Sequence, residues 1–496
     1  MKKLLVFGLD GVSLEIMKRY TDLHPNGLFH EIMKGGYIRN LLSTLPFFTA
    51  PAWTTFMTGL KPDINGIFHW RGRYDPLKKE RPLISTHHLR EATFWWYFQQ
   101  YGGRVSISNF PMEYPAPPTN GRYICGTLAP ENAKKVSWPD DLINEVRSKY
   151  PDYRFEIDKG ISYMDKPLEL WNHIYSVGKD HFDAMLTQTN PLTADLLVHV
   201  VTITDRAEHF FWHLYDNTHP SFDAKLLEIV GNPIIETLQL AEKRLENLWQ
   251  TGKWENIVIV SDHGMGVSRF SFNTDVWLHQ QGYLTLNENN TVAYEKSIAY
   301  SGEEPECSVY INKKTRDGFG LEDDQYVRLV REMQEKFKQV LIPGTYKKAF
   351  KDVIAGIDLY TELLGYLGPD IVFIPEEGVH PSPKVNATDI FSKSSRLYAN
   401  HRREGIFMVY GNDVPRSDFS EQTEDVHIQD IFPVMCALTK IPIPKGLSGS
   451  IPADLSRHLE IEISNIWDWP KQVDGLPKFQ DFSPQFIERL SELGYL

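Results

Sequence analysis

Several features are scarce in the sequence or absent from it. Only three of the 496 residues are cysteines, Cys125, Cys307 and Cys436, and they lie far apart. This number and spacing argue against a disulfide framework and against a site built from paired thiolates. No uninterrupted apolar stretch approaches the roughly 18 residues expected of a membrane-spanning helix. We therefore predict no membrane segment.

We also predict no secretion signal. The apolar run at positions 4–7 is too short for the hydrophobic region of a signal peptide. The run leads into Asp10 and not into a cleavage site. These observations predict a cytoplasmic protein.

The chain has no surplus of basic residues. It has 52 Lys and Arg against 65 Asp and Glu, a formal net charge of -13. Non-specific nucleic-acid binding needs a basic face that displaces counterions, so we expect no nucleic-acid-binding surface. A small phosphorylated substrate stays compatible with this charge, because bound cations can invert the local field.

Short apolar runs that stop abruptly at polar residues are the main pattern that is present. Runs of this length suit the strands of a parallel sheet that is covered on both faces. Amphipathic segments such as 233–249 lie between them and predict helices. The alternation predicts a doubly wound α/β fold, with a mostly parallel central sheet flanked by helices. The predicted strands are 4–9, 105–107, 196–203, 257–260, 371–374 and 406–409.

Two irregular stretches separate the predicted core elements. Residues 111–182 are rich in Pro, Tyr and Trp, and residues 287–391 contain Gly, Pro and charged clusters. We predict one discontinuous domain over 1–496, with these stretches as cap-like inserts that cover the site.

Polar residues at the ends of the predicted strands are the first functional signal, because ligands bind there in doubly wound sheets. Asp262 and His263 follow the strand at 257–260, and glycines after them allow a sharp turn. Asp262 could instead cap a following helix, with His263 merely packed against it. Asp10 closes the first strand, where it could also be an ordinary turn residue before Gly11.

Two further candidates follow the strand at 196–203. Asp205 and His209 are four residues apart, so on a helix they share one face and could hold one metal. The alternative is a simple surface pair. His401 precedes the predicted strand at 406–409 and, taken alone, could be only a polar loop residue.

Thr49 is the candidate hydroxyl residue. The Ala50-Pro51 pair that follows it could place the Thr49 hydroxyl at a helix N-terminus, where backbone N–H groups and the helix dipole favour an oxyanion. An ordinary helix-capping role for Thr49 is equally compatible with the local sequence.

Taken together and in this order, the motifs resemble the alkaline-phosphatase superfamily. The resemblance is strongest to its type I phosphodiesterase/nucleotide pyrophosphatase branch and to the predicted phosphohydrolase/phosphomutase proteins beside it. It implies an alkaline-phosphatase-like fold. The motifs are VFGLDG at Asp10, TAPAWTTFMTGLKPDINGIF at Thr49, TDRAEHFFWHLYD at Asp205, VSDHGMG at Asp262 and NHRREGIF at His401.

The resemblance implies a site with two divalent metal ions. Zinc is the usual metal of the family, and the ligand types also accommodate manganese or iron. Thr49 would attack a phosphate ester and form a phospho-threonine, which water then hydrolyses. The implied ligands of one metal are Asp10, Asp262, His263 and the Thr49 oxygen, and those of the other are Asp205, His209 and His401.

The chain also departs from its relatives. Many nucleotide pyrophosphatases have an asparagine about twenty residues past the nucleophile that binds a phosphoryl oxygen, where this chain offers His69 and Trp70. Sulfatases have a cysteine-derived nucleophile and an arginine four positions on, where this chain has Thr49 and Trp53, so a sulfatase is disfavoured. A set of arginines near the motifs could bind an acidic substrate or be solvated surface charges: Arg71, Arg73, Arg206, Arg402 and Arg403.

The main functional prediction is therefore a metal-dependent phosphohydrolase or phosphodiesterase acting on a small phosphorylated substrate. A phosphoryl or phosphonate transferase or phosphomutase in a biosynthetic pathway would use the same residues. A non-catalytic binding protein on the same scaffold is a third possibility. The sequence identifies neither the substrate-binding residues nor the oligomeric state.

Overall fold

The computed structural model describes residues 1–84, 89, 92–127, 129–189, 194–302, 308–393, 397–412, 414–416, 425–468 and 492. The strands are β1 Leu4–Leu9, β2 Tyr37–Leu42, β3 Val105–Phe110, β4 Arg122–Cys125, β5 Ser137–Trp138, β6 Leu196–Val201, β7 Asn256–Val260, β8 Gly264–Asn273, β9 Ala299–Ser301, β10 Val309–Ile311, β11 Phe350–Ala355, β12 Ile371–Pro375, β13 Gly378–Ser382, β14 Phe391–Lys393, β15 Ala399–Arg402, β16 Glu404–Gly411, β17 Val426–His427, β18 Ile443–Lys445 and β19 Ile463–Asp468. The helices are α1 Leu14–Leu23, α2 Leu28–Gly35, α3 Thr49–Thr58, α4 Pro62–Asn65, α5 Phe94–Gln100, α6 Leu142–Lys149, α7 Pro167–Thr189, α8 Ile203–Tyr215, α9 Ala224–Val230, α10 Pro233–Trp249, α11 Thr274–Gln280, α12 Lys314–Asp317, α13 Asp323–Lys338, α14 Gly356–Leu359, α15 Ile431–Thr439 and α16 Ala453–Ser456.

A nine-stranded sheet forms the centre of the fold, in the order β17-β2-β16-β7-β1-β6-β3-β4-β5. The four neighbouring strands β7, β1, β6 and β3 are parallel to one another. Antiparallel pairings occur where β16 joins β2 and β7, and where β5 joins β4. The predicted α/β fold with a mostly parallel central sheet is confirmed.

Side chains on the two faces of this sheet pack into two separate hydrophobic cores. Along β1, Leu5, Phe7 and Leu9 belong to one core and Leu4 and Val6 to the other, because successive side chains point to opposite faces. The first core packs against α1, α7, α8 and α10, and the second against α3, α5 and α15. Burial on both faces explains why the central strands are continuous apolar runs.

Two predicted strands differ from their expected role. The run at 371–374 lies in β12, which belongs to a separate antiparallel sheet with the order β11-β12-β10-β9. The run at 406–409 lies in β16, which is antiparallel to both of its neighbours. An apolar run records burial on both faces but not strand direction, so the sequence pattern could not separate these cases.

The stretches predicted as inserts contain both kinds of structure. Within 111–182, β4 and β5 extend the edge of the central sheet. Within 287–391, β9 to β12 form the second sheet and its own hydrophobic core, which includes Tyr300, Val330 and Phe373. The division into one discontinuous domain with two inserts stays a prediction.

In the part of the chain that the structure describes, no helix combines the length and apolar character needed to cross a membrane. Cys125 and Cys436 are buried free thiols. Cys307 lies outside the described residues.

Candidate active site

The three candidate aspartates lie at the carboxyl ends of three adjacent parallel strands. Asp10 directly follows β1, Asp262 comes two residues after β7 ends, and Asp205 lies in the first turn of α8, just beyond β6. The order β7-β1-β6 puts these three ends side by side. The topology of the sheet therefore gathers carboxylates that are as many as 252 positions apart in sequence.

Asp205, His209 and His401 form one buried cluster. Asp205 Oδ1 lies 3.3 Å from His209 Nε2 and 3.4 Å from His401 Nε2, and the two Nε2 atoms are 3.1 Å apart. Asp205 and His209 share one face of α8, as the four-residue spacing predicts. These three side chains could hold a metal ion.

Asp10, Asp262 and His263 form the neighbouring cluster. His263 Nε2 lies 3.6 Å from Asp10 Oδ1 and 3.3 Å from Asp262 Oδ2. Asp205 also has a carboxylate oxygen close to Asp10 and His263, so the two clusters are contiguous. The rings of His263 and His401 stack with centroids 3.7 Å apart.

Thr49 is the first residue of α3, and its Oγ1 lies 3.3 Å from His263 Nε2. The preceding residue, Phe48, is the N-cap and offers no side-chain acceptor to the first turn. From the same helix, Trp53 Nε1 donates to Asp10 Oδ2 at 3.4 Å. Thus α3 contributes a buried hydroxyl and the positive end of its dipole to the site.

The donor set fits bound cations. His209 Nδ1 is 2.9 Å from the Ala399 carbonyl, and His263 Nδ1 is 3.1 Å from the Gly264 carbonyl. If each Nδ1 carries the proton and donates to its carbonyl, Nε2 presents a lone pair to the carboxylates, as in metal-binding histidines. Three buried carboxylate oxygens receive no hydrogen bond from the residues that the structure describes: Asp10 Oδ1, Asp205 Oδ1 and Asp262 Oδ2.

The pKa shifts at the site also favour bound cations. Burial, with Asp262 and Asp205 nearby, raises the pKa of Asp10 well above its usual range. Burial also raises the pKa of Asp205, but His209 and Arg206 offset this and hold it well below its usual range. Burial, with His263 nearby, lowers the pKa of His401. Crowded acidic groups without cations oppose one another's ionisation, and divalent cations would relieve that repulsion.

Residues 4–406 match the family of type I phosphodiesterase / nucleotide pyrophosphatase proteins. The chain belongs to this family. It is therefore an enzyme of the phosphoric ester hydrolase class, as the motifs predict. A search of curated proteins finds no match.

Solved structures share the fold of this phosphodiesterase-family chain. Phosphonoacetate hydrolase from Sinorhizobium meliloti 1021, in complex with phosphonoacetate, has a TM-score of 0.57 at 14% identity, covering 87% of this chain and 94% of that one. A mutant of alkaline phosphatase PafA has a TM-score of 0.56 at 14% identity, covering 92% and 99%. Murine ectonucleotide pyrophosphatase / phosphodiesterase 5, as an inactive threonine-to-alanine variant with AMP, has a TM-score of 0.51 at 15% identity, covering 93% and 100%. The predicted alkaline-phosphatase-like fold is confirmed.

One acidic residue of this phosphodiesterase-family site escaped the sequence analysis. Glu208 is buried beside Asp205 and Asp262, which together with burial raise its pKa well above its usual range. Neither of its carboxylate oxygens has a hydrogen-bond partner within the described ranges. The sequence feature that could have identified Glu208 is its position three residues after Asp205, which places it near the same helix face.

The residues that replace the usual asparagine lie against the nucleophile segment. The His69 ring stacks on Phe48 with centroids 4.4 Å apart, and Trp70 meets Phe48 edge-on at 5.5 Å. Phe48 also stacks on His401 at 5.8 Å. His69 and Trp70 thus pack against Phe48, the residue before Thr49.

The arginines near the motifs are not uniformly solvated. Arg73 and Arg206 are almost completely buried in the described structure. Arg73 pairs with Asp370 at 2.9 Å, far along the chain. The surface-charge interpretation is therefore wrong for Arg73 and Arg206, because each is enclosed by protein groups.

Proposed function

We propose that the chain is a metal-dependent phosphohydrolase or phosphodiesterase that uses Thr49 as its covalent nucleophile. Its substrate would be a small phosphorylated molecule. Two divalent cations, Zn²⁺ or alternatively Mn²⁺ or Fe, would be held by two adjacent sets of residues. The first set is Asp10, Asp262, His263 and Thr49, and the second is Asp205, His209 and His401.

The observation that carries this proposal is the position of the Thr49 hydroxyl. It lies 3.3 Å from His263 Nε2, at the beginning of α3 and beside the buried carboxylates. A hydroxyl used only as a helix cap would bond to backbone N–H groups of its own first turn. Thr49 is instead already inside the helix, and Phe48 occupies the N-cap position.

Bound cations would supply positive charge that polarises the phosphoryl group and makes a nearby hydroxyl more acidic. The chain's own residues would hold the reacting groups in place. The N-terminus of α3 would face the phosphoryl oxygens with unpaired N–H groups, and Trp53 would fix the orientation of Asp10 through its indole N–H.

The reaction would proceed in two displacements. Thr49 Oγ1 forms a bond to phosphorus, the ester P–O bond breaks, and the alcohol leaves with a proton. Water then attacks the phospho-threonine, its P–Oγ1 bond breaks, and the Thr49 hydroxyl and the free phosphate product are released. Splitting one difficult step into two easier ones is the advantage of covalent catalysis.

Two structural relatives support the choice of nucleophile and substrate class. In the murine relative, the variant with threonine replaced by alanine is inactive and is in complex with AMP. The bacterial relative is in complex with phosphonoacetate, a small phosphonate. We extend the nucleophile and the small phosphorylated ligand to this chain as part of the proposal.

The decisive experiment compares Thr49→Ala with Thr54→Ala. Both hydroxyls are buried in α3, and Thr54 Oγ1 has no hydrogen-bond partner among the described residues, so Thr54→Ala is a matched control. With nitrophenyl phosphate mono- and diesters, Thr49→Ala should keep its metal and lose turnover, and Thr54→Ala should keep both. Acid-quenched wild-type enzyme should carry phosphate on Thr49, detected by peptide mass spectrometry. Undiminished turnover by Thr49→Ala would overturn the proposal.

Elemental analysis tests the cofactor part. We expect about two bound transition-metal ions per chain, as in other two-metal phosphohydrolases. A chain without bound metal that also stays inactive after metal addition would point to a non-catalytic protein. Product analysis with added alcohols separates hydrolysis from phosphoryl transfer. A cytoplasmic location stays a prediction.

A further inference from the structure

Arg206 is the largest charged side chain that is fully buried in the described structure. Its side chain and that of Glu156 have relative exposures of 2% and 0%. Removing two charged groups from water costs free energy, so buried charges need close hydrogen-bonding partners of opposite charge. The contacts of Arg206 therefore indicate what it does.

The guanidinium of Arg206 joins two carboxylates. On one side, Nη1 donates to Asp205 Oδ2. On the other side, Nη2 donates to Glu156 Oε2 at 3.0 Å and Nε to Glu156 Oε1 at 3.4 Å. Two guanidinium nitrogens of Arg206 thus donate to Glu156, and the third donates to Asp205.

Glu156 is itself fixed from the opposite side. Thr127 Oγ1 donates to Glu156 Oε2 at 3.0 Å, and the Ile157 backbone N–H donates to Glu156 Oε1 at 2.9 Å. Both Glu156 oxygens therefore have two donors each. A side chain held this completely can act as a rigid anchor for Arg206.

This arrangement gives the two oxygens of Asp205 different roles. Oδ2 is occupied by Arg206, and Oδ1 lies 3.3 Å from His209 Nε2 and 3.4 Å from His401 Nε2. We infer that Arg206, anchored by Glu156, is a positioning residue that turns Asp205 Oδ1 toward the cation of the Asp205–His209–His401 set. The inference rests on the proposed function, because it presumes a cation in that set.

The alternative is a purely structural ion pair that ties residues 127–157 to α8. The two roles differ in one respect. A structural pair can be replaced by a neutral pair without affecting metal binding, whereas a positioning residue cannot. Arg206→Gln alone would leave Glu156 buried without its counter-charge and is expected to destabilise the fold strongly.

The test therefore uses the double variant Glu156→Gln/Arg206→Gln, with Arg206→Lys as a second variant that keeps the charge but loses the fork. Asp183→Asn/Arg244→Gln is the control, because it neutralises a different arginine–aspartate pair, which is partly buried and joined at 2.8 Å between α7 and α10. Each protein is loaded with Zn²⁺, dialysed and analysed for metal content, and its fold is checked by circular dichroism. Zn²⁺ affinity is measured by chelator competition.

We expect about two Zn²⁺ per chain in the wild type and the control, and about one in the double variant. Arg206→Lys should bind one of its two Zn²⁺ ions about 10- to 100-fold more weakly, the usual effect of altering a partner that orients a ligand. Wild-type affinity for both ions in the double variant, or in Arg206→Lys if the double variant does not fold, would overturn the inference and leave the proposed function standing. A wild type that binds no Zn²⁺ would overturn the proposed function itself.

Discussion

His209 Nε2 and His401 Nε2 lie 3.1 Å apart, although the two residues are separated by 192 positions. The strand that carries His401 also orients His209, because His209 Nδ1 contacts the carbonyl of Ala399. The backbone N–H of Tyr398 in turn donates to the His209 carbonyl at 2.9 Å. Two imidazole nitrogens aimed at one carboxylate oxygen are well placed to share a cation.

Removing metal should destabilise the protein as well as inactivate it. A ligand that binds only the folded state at about 100 times its Kd stabilises by about 2.7 kcal/mol. Dialysis against a chelator should therefore lower Tm and abolish turnover of a nitrophenyl phosphate ester, and added Zn²⁺ should restore both. Identical melting curves before and after chelation, with retained turnover, would contradict a metal centre.

His209→Ala and His401→Ala should have similar effects that do not add. Each removes a ligand of the same proposed cation, so the second substitution has little left to remove. Either one should lower kcat by roughly 100-fold or more, a barrier increase of about 3 kcal/mol. The double variant should be no worse than the poorer single variant.

The control for this pair is His458→Ala, because His458 is exposed on the surface. It should keep full turnover. Strictly multiplicative losses in the double variant would mean that His209 and His401 serve different sites.

Gly8→Ala should disturb the site through Trp53. A Cβ on Gly8 would lie 2.5 Å from Trp53 Cη2 and 3.0 Å from Val200 Cγ2, inside the packed core. Overpacking of this kind costs about 1–3 kcal/mol and would move the indole that donates to Asp10. The free energy of unfolding, measured with urea, and the metal affinity should both be lower than in the wild type.

Gly35→Ala is the comparison, because the nearest atom to its added Cβ is a Tyr410 ring carbon at 3.3 Å. Gly35 is the last residue of α2, so alanine there should be neutral or slightly stabilising. If Gly8→Ala keeps wild-type metal affinity while losing stability, the Trp53–Asp10 contact does not orient the ligand.

Glu113 should make stability depend on pH. Burial raises the pKa of Glu113 from 4.5 to about 7, although Tyr123 and Trp95 donate hydrogen bonds to its carboxylate. Between these two values the folded state binds more protons than the unfolded state, so the free energy of unfolding falls as pH rises. The effect is nearly complete by about pH 8 and is on the order of 3 kcal/mol in total.

The measurement compares urea unfolding of the wild type and Glu113→Gln at about pH 5 and about pH 8. Glutamine can still accept the Tyr123 hydrogen bond but cannot ionise. The wild type should lose on the order of 2–3 kcal/mol more than the variant over this range. Equal losses would show that Glu113 is ionised in the folded protein throughout.

Much of the fold near the site could be predicted from sequence. The first strand and the helix at 233–249 begin and end where the apolar patterns predict. Most of the seven proposed site residues come together because they follow strands of the central sheet or lie in the helices after those strands, whereas His401 reaches the site through the antiparallel pairing of β15 with β8. Apolar patterns predict these elements, and the rule that ligands bind at the carboxyl ends of parallel strands predicts the location of the site.

The remaining features depend on contacts that no local pattern encodes. Glu156 reaches Arg206 across 50 positions, from a stretch without periodic apolar residues. The direction of β16 and the sheet to which β12 belongs depend on the course of the chain between them. Burial of Arg206 was likewise hidden, because an arginine after an aspartate reads as a solvated charge until tertiary packing encloses it.

The pairing of β15 with β8 sets the order in which the site can be completed during synthesis. His401 pairs in register with Met265, two residues after His263, and so lies beside His263 only when β15 has joined β8. At about 5–20 residues per second, a ribosome needs roughly 20–80 s to travel from Asp10 to His401. During that interval the nascent chain lacks His401, so the proposed second cation can be held by its full set of ligands only after residue 401 has been synthesised and β15 has joined β8.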